Sequence, residues 1–475
     1  MKIKFCGATR TVTGSCYYID TGDFKFLVDC GAFQGKDDLE KLNYEPFPFD
    51  PSQLDAIFLT HAHFDHCGRM PILVKQGFHG RIFSTQPTRD LAKIVLLDAA
   101  KLQQESYERW SARSKDETPK EGLSAEGSLY EQRKPLFSEE DVESMFQYFE
   151  VYPYGSSVNL HNGVEFRFRD AGHILGSAMI EFWIKTENER ERKIVFSGDL
   201  GQPGARIVRD PDMVREADYI ICESTYGNRL HKNKDETVLE LLSVLKQAQE
   251  EDGIVLIPSF AIERTQEILY EINLFVENKL LREVPIYLDS PMASKATAVF
   301  KQYPTFYDED ARRLLDKGDD PFNFPGLHTT ESAEESKRLV NRTGIVIIAG
   351  SGMCTGGRIV HHIKNHIHKA NTHMIFVGYQ VDGTLGRRLV NGDKNIRVMG
   401  QNLEVNAQIH TLGGFSAHAD QRDSRYWLRS FGHTPKKIFI THGDEEIAIG
   451  FASNIKTELN IETDIPKLNE EFELK

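Results

Sequence analysis

Six residues, His61-Ala62-His63-Phe64-Asp65-His66, limit what this chain can fold into more than any other stretch. Four side chains with metal-binding atoms lie in them, directly after the apolar run Ala56 to Thr60. Imidazole and carboxylate together suit zinc and its neighbours. His61 and His63 are two apart, so on an extended segment they share a face. Asp65 and His66 fall at the turn into Arg69 to Gln76, whose apolar spacing suits a helix. One ion cannot take all four side chains from so short a loop, which calls for two ions a few ångströms apart. A dinuclear site needs further ligands, and strand ends elsewhere offer them. His173 follows Val164 to Asp170 in AGHILGS, Asp199 follows Lys193 to Ser197 in FSGDLG, and His442 follows Lys437 to Thr441 in ITHGDE. Asp29, in LVDCG, also ends a strand and can orient a ligand histidine.

The surrounding pattern places this constellation on a particular framework. The first stretch is β-rich, with strands at Ser15 to Asp20 and Phe24 to Asp29 around the turn Thr21-Gly22-Asp23. A long helix is expected from Pro87 to Trp110, a mobile loop over the polar stretch Ser111 to Lys134, and a helix over Glu139 to Phe149 with Ser138 as N-cap. Val164 to Asp170, Met179 to Lys185 and Lys193 to Ser197 alternate as half-buried strands. After about residue 225, helices alternate with the short apolar strands Ile254 to Pro258, Ile286 to Asp289, Ile345 to Ala349 and Met374 to Gly378, as in a parallel sheet. Strands return at Val405 to Leu412 and Lys437 to Thr441. Two β-rich segments therefore flank an α/β insert. The expected divisions are 1–225, 226–400 and 401–475, the first and last forming one domain.

Composition narrows the class. With 475 residues the chain has ample length for a core without disulfides. Its net charge of −14 argues against a general nucleic-acid coat, so a polyanion would have to be met by metals or a local basic groove. The six cysteines form no CxxC pair, which implies reduced thiols and a cytoplasmic location. The N-terminal residues lack the apolar core of a signal peptide, and no apolar run is long enough for a membrane helix.

HAHFDH, AGHILGS, FSGDLG and LVDCG resemble the metallo-β-lactamase superfamily. CESTYGNRLH, GFSAHAD and ITHGDEE are similar to the additional motifs of its β-CASP nucleases. IPSFAIERTQEIL, YLDSPMA, GSGMCTGGRIVHHIKNH and GYQVDGTLGRRL resemble the β-CASP domain itself. The likeness runs from about residue 5 to about 445 and is nearest to the RNA-cleaving branch, which includes bacterial and archaeal relatives of the endonuclease subunit of the cleavage and polyadenylation specificity factor. It implies an α/β fold: a metallo-β-lactamase αββα sandwich with an inserted β-CASP domain built on a parallel sheet. It further implies that His61, His63 and His173 bind one zinc, that Asp65, His66 and His442 bind the other, and that Asp199 bridges them. Glu223 and His418 would be the β-CASP contribution to catalysis, and a histidine at 442 is typical of RNA-directed members. A possible homodimer and RNA-processing partners are implied as well.

The chemistry fits phosphodiester hydrolysis of single-stranded RNA, by endonuclease or 5′ exonuclease action. Two zinc ions, or other divalent metals, make hydroxide available near neutral pH and neutralise the transition state. His418 is expected to protonate the leaving oxygen, with Glu223 raising its pKa. The Gly-rich GSGMCTGG before a helix suggests phosphate contacts at Ser351, Gly352, Gly356 and Gly357, with Arg358 adding charge. Three rivals stand beside this reading. A small-molecule hydrolase has no need of so long an insert, a non-catalytic scaffold has no need of all seven ligands, and a DNA nuclease is opposed mainly by His442.

Overall fold

The computed structural model describes residues 1–116, 134–160, 163–185, 190–381 and 383–475. Two seven-stranded mixed sheets face each other. The first runs Glu470–Glu473, Lys2–Phe5, Tyr17–Asp20, Lys25–Val28, Ala56–Phe58, Arg81–Ser84, Phe149–Val151. The second runs Thr463–Asp464, Lys437–Thr441, Tyr219–Glu223, Glu191–Phe196, Ala178–Lys185, Val164–Asp170, Ser157–Leu160. In Val164–Asp170 every second residue is buried, as its sequence alternation requires. The buried faces meet in an aromatic layer. Phe182 lies 4.9 Å from Phe26 and 4.8 Å from Phe58, ring centre to centre, and Phe58 lies 4.9 Å from Phe166. Helices cover the outer faces, Met70–Lys75 and Gln86–Asp116 on the first sheet, Gln421–Leu428 and Glu445–Leu459 on the second.

The third sheet is wholly parallel and has six strands: Leu327–Thr329, Ile286–Leu288, Ile345–Ala349, Ile254–Pro258, Thr372–Phe376, Gln408–Thr411. Its central strands are buried along their whole length, which is why they read as unbroken apolar runs. This is the inserted α/β unit.

Several sequence expectations need correction. Gln408–Thr411, which falls in the expected last segment, pairs with Thr372–Phe376 in the insert's sheet. The long helix continues through Asp116 into the expected loop, because Ser111 to Asp116 contains helix-tolerant residues and neither glycine nor proline. The rest of that loop, to residue 133, lies outside the described residues. The helix beginning at Glu139 keeps Ser138 as N-cap, with Asp141 completing a capping box, but ends at Met145. A 3₁₀ turn follows, and Phe149–Val151 then joins the first sheet beside Ile82–Ser84.

Candidate metal centre

The ligand-type side chains stand where strands of the sandwich end. His61 to His66 follow Ala56–Phe58, with His63 at the N-cap of the short helix Phe64–Cys67. His173, Asp199 and His442 follow the strands that sequence placed before them. Asp29 and His442 both take left-handed backbone, at φ 58° and 49°, a region that Asp and His enter more readily than most residues. Gly31 lets the Asp29 turn pass close to the histidine loop, since a Cβ there would fall 1.6 Å from the Asp65 carbonyl oxygen.

Beside a group of Asp199, Glu223 and His418, two clusters result, one of His61, His63, His173 and Asp199, the other of Asp65, His66 and His442. In the first, His63 Nδ1 lies 3.1 Å from His61 Nε2 and 3.2 Å from His173 Nε2. In the second, His66 Nε2 lies 3.3 Å from His442 Nε2, which is 3.4 Å from Asp65 Oδ2. Asp199 divides its two oxygens between them. Oδ2 is 3.5 Å from His61 and 3.6 Å from His173, while Oδ1 is 3.4 Å from His66 and 3.6 Å from His442.

This donor set fits metal. Four donors held tetrahedrally at zinc's usual ~2.0–2.1 Å stand about 3.3 Å apart, which is the spacing found between the facing nitrogens. Asp199 Oδ1 is buried without an aligned hydrogen-bond donor among the described residues, an expensive arrangement unless a cation takes it up. Burial drives His61, His63 and His173 toward the neutral, ligating form, His63 to about 4. Burial also opposes charge on His66 and His442, but Asp199 and the nearby carboxylates overcome it and hold both above the ordinary histidine value.

The supporting shell is explicit. His66 Nδ1 lies 2.8 Å from Asp29 Oδ2, and Asp29 also accepts from Thr60 N and Thr60 Oγ1, both at 2.8 Å. Such a carboxylate fixes the ring and raises its basicity. Thr60 Oγ1 is 3.1 Å from His61 Nδ1, and Thr225 Oγ1 is 3.1 Å from His442 Nδ1. Sequence reading passed over both threonines, although each adjoins a motif residue. Beside the clusters, His418 Nδ1 lies 3.3 Å from the Glu223 carboxylate and 3.9 Å from Asp199 Oδ2. Burial works against charge on His418, but Glu223 and then Asp199 outweigh it and raise its pKa to about 9.

No residue of the Gly-rich loop belongs to these groups. Gly357 takes φ 72°, and a Cβ there would meet the Gly350 carbonyl oxygen at 2.3 Å. Ser351 Oγ accepts from Thr355 N at 2.9 Å, and Gly356 is open on its Cβ side. Arg358, expected to add charge at this loop, is hydrogen-bonded within the protein. Its guanidinium donates to buried Asp289 at 2.7 Å, to Thr330 Oγ1 at 3.0 Å and to the Glu331 carbonyl at 2.8 Å. Asp289 also accepts from Ser336 Oγ and lies against His362 Nε2, each at 2.6 Å. That network engages Arg358 and His362.

Fold and site together define a metallo-hydrolase of the metallo-β-lactamase superfamily, whose family model matches residues 9–89. The Beta-Casp domain model matches residues 265–389, and the Zn-dependent metallo-hydrolase RNA specificity domain model matches 402–466. The chain is 37% identical to Ribonuclease TTHA0252 of Thermus thermophilus over 453 residues, covering 95% of both proteins. It is 31% identical to Transcription termination factor FttA of Methanosarcina mazei, covering 98% of this chain and 70% of that one. A crystal structure of a protein of unknown function from Enterococcus faecalis shares the fold, with a TM-score of 0.54 at 12% identity and 99% of each chain covered. The chain belongs to the β-CASP family. All six cysteines are free and buried, and among the described residues no helix is long and apolar enough to cross a membrane.

Proposed function

We propose that this protein is a zinc-dependent ribonuclease that hydrolyses phosphodiester bonds of single-stranded RNA. The observation that carries the reading is the division of Asp199 between two complete clusters, with the His418–Glu223 pair alongside. His61, His63, His173 and Asp199 would hold one ion, and Asp65, His66, His442 and Asp199 the other. Two bound cations supply Lewis acidity, making water acidic and offsetting phosphate charge. The chain's own residues do the rest. Asp29 and Thr60 keep the His66 and His61 rings in place. His418, held protonated by Glu223, donates a proton to the leaving oxygen. Residues 1–225 and the chain after Thr411 form the metal-bearing unit, and the insert between them caps it.

The test is cleavage of a 5′-labelled single-stranded RNA, beside Asp65→Ala and a DNA strand of matching sequence, with metal content measured on both proteins. The reading expects RNA-selective products that vanish in the variant. Internal fragments mean endonuclease action and labelled mononucleotide means 5′ exonuclease action. No cleavage of RNA by protein holding two metals would overturn it.

A further inference from the structure

Two aromatic side chains stand exposed beside the metal domain in a position the metal chemistry does not require. Phe260 is 44% exposed and Tyr379 is 41% exposed, against a background of aromatic rings that are mostly buried. Both follow central strands of the parallel sheet. Phe260 comes two residues after Ile254–Pro258, and Tyr379 three residues after Thr372–Phe376. The chain leaves the first of these neighbouring strands toward Ile286–Leu288 on one side and the second toward Gln408–Thr411 on the other. Where connections diverge in this way, a crevice opens at the carboxyl ends of the strands, and it is the usual ligand position in such sheets.

Glycines shape this edge of the sheet. A Cβ at Gly352 would fall 2.9 Å from the Phe260 ring, so the Gly-rich loop gives that ring its room, and a Cβ at Gly378 would lie 3.9 Å from it, next to Tyr379. The guanidinium of Arg229 sits 5.1 Å from the Tyr379 ring centre and that of Arg387 sits 5.9 Å away. Positive charge is thus gathered beside exposed aromatic surface in a chain of net charge −14. Contacts tie this edge to the metal loops. Glu263, three residues after Phe260, accepts from Leu175 N at 3.1 Å, two residues past His173. Arg229 follows the segment that carries Glu223 and Thr225.

Resting on the ribonuclease reading above, we infer that Phe260 and Tyr379 are a stacking platform for the bases of the RNA strand on the insert side of the metal centre, with Arg229 and Arg387 supplying charge to the adjoining phosphates. Unstacked bases are held in this way, on aromatic faces with arginine alongside, because every base has a π-face whatever its sequence. The platform grips bases without choosing among them.

The test measures binding of a cleavage-resistant phosphorothioate RNA to the metal-loaded protein by fluorescence anisotropy, with an abasic strand of equal length as the second probe. Phe260→Ala and Tyr379→Ala should each weaken RNA binding roughly 5- to 150-fold and leave abasic binding unchanged. Phe260→Trp and Tyr379→Phe, which keep a ring, should bind RNA within about twofold of the wild type. Alanine variants that bind RNA normally overturn the platform. So does equal loss for both strands, or loss in the ring-keeping variants, either of which marks a packing role. Cleavage of ordinary RNA is followed in parallel. Ring-dependent binding without wild-type cleavage keeps the platform and removes the ribonuclease reading. Cleavage without ring dependence does the reverse, and failure of the wild type to bind RNA removes both.

Discussion

Replacing Glu223 by glutamine isolates the proton-donor role of His418. Glutamine keeps an acceptor oxygen for Leu200 N, which Glu223 Oε1 holds at 2.6 Å, but removes the charge facing His418. With its pKa near 9, His418 is about 97% protonated at pH 7.5, whereas a histidine at the ordinary ~6.5 is about 9% protonated. Burial would press the variant's histidine lower still, and two cations in the site would oppose the charge in both proteins. Both terms widen the ratio of protonated fractions, so a tenfold fall in kcat at pH 7.5 is the smallest effect the donor role allows. The assay is single-stranded RNA cleavage from pH 5.5 to 9.5 with metal content verified in each protein. The wild type should stay active well above neutrality. The variant should lose activity about 2.5 pH units earlier or more, and approach the wild type at the acid end. A shared alkaline limb in two fully metallated proteins would refute His418 as the donor set up by Glu223.

Other consequences are open to direct measurement. His418→Ala should lower kcat by about 10²- to 10⁴-fold while retaining both metals, and loss of metal on elemental analysis would show a ligand role instead. Asp29→Asn should weaken metal retention about 10- to 100-fold in a chelator competition, because the His66 ring loses its carboxylate partner. Asp289→Ala leaves Arg358 and His362 without their buried anion and should cost on the order of 3–5 kcal/mol in urea unfolding at pH 7. Burial opposes the Asp289 charge, but His362, Ser336, Thr330 and Arg358 outweigh it and hold the carboxyl below its ordinary value. Its stabilisation is therefore full above about pH 4 and disappears as pH falls through the depressed value. The gap between wild type and variant should narrow only in that acid range.

Much of the sandwich was legible because its signals are local. Val164–Asp170 shows its half-burial in strict alternation, and Ile254–Pro258 shows full burial in an unbroken apolar run. The proposed ligands were legible because His61, His173, Asp199 and His442 each stand a few residues behind a strand. Partners distant in sequence were not. The residues of Gln408–Thr411 suit a strand, but nothing in them says which sheet they join, and pairing with Thr372–Phe376 decides it. The Arg358–Asp289 pair was not legible either, because Asp289 lies far upstream and reaches Arg358 only through the packing of the insert. Thr60 and Thr225 gave too weak a signal, since a threonine beside a ligand is common and only the folded distance reveals the hydrogen bond.

The placement of His442 beyond the insert has a consequence for synthesis. His61, His63, His173 and Asp199 all leave the ribosome before the insert, whereas His442 follows Asp199 by 243 residues (442 − 199). At ~5–20 residues per second that is an interval of about 12–50 s. During it, every member of the first cluster exists while the second still lacks a ligand. The strand Lys437–Thr441 must also slot in beside Tyr219–Glu223 before His442 reaches its position. On the proposed assignment, a nascent chain thus passes through a stage that has made every ligand of the first ion but not of the second, and the insert is already made before His442 emerges.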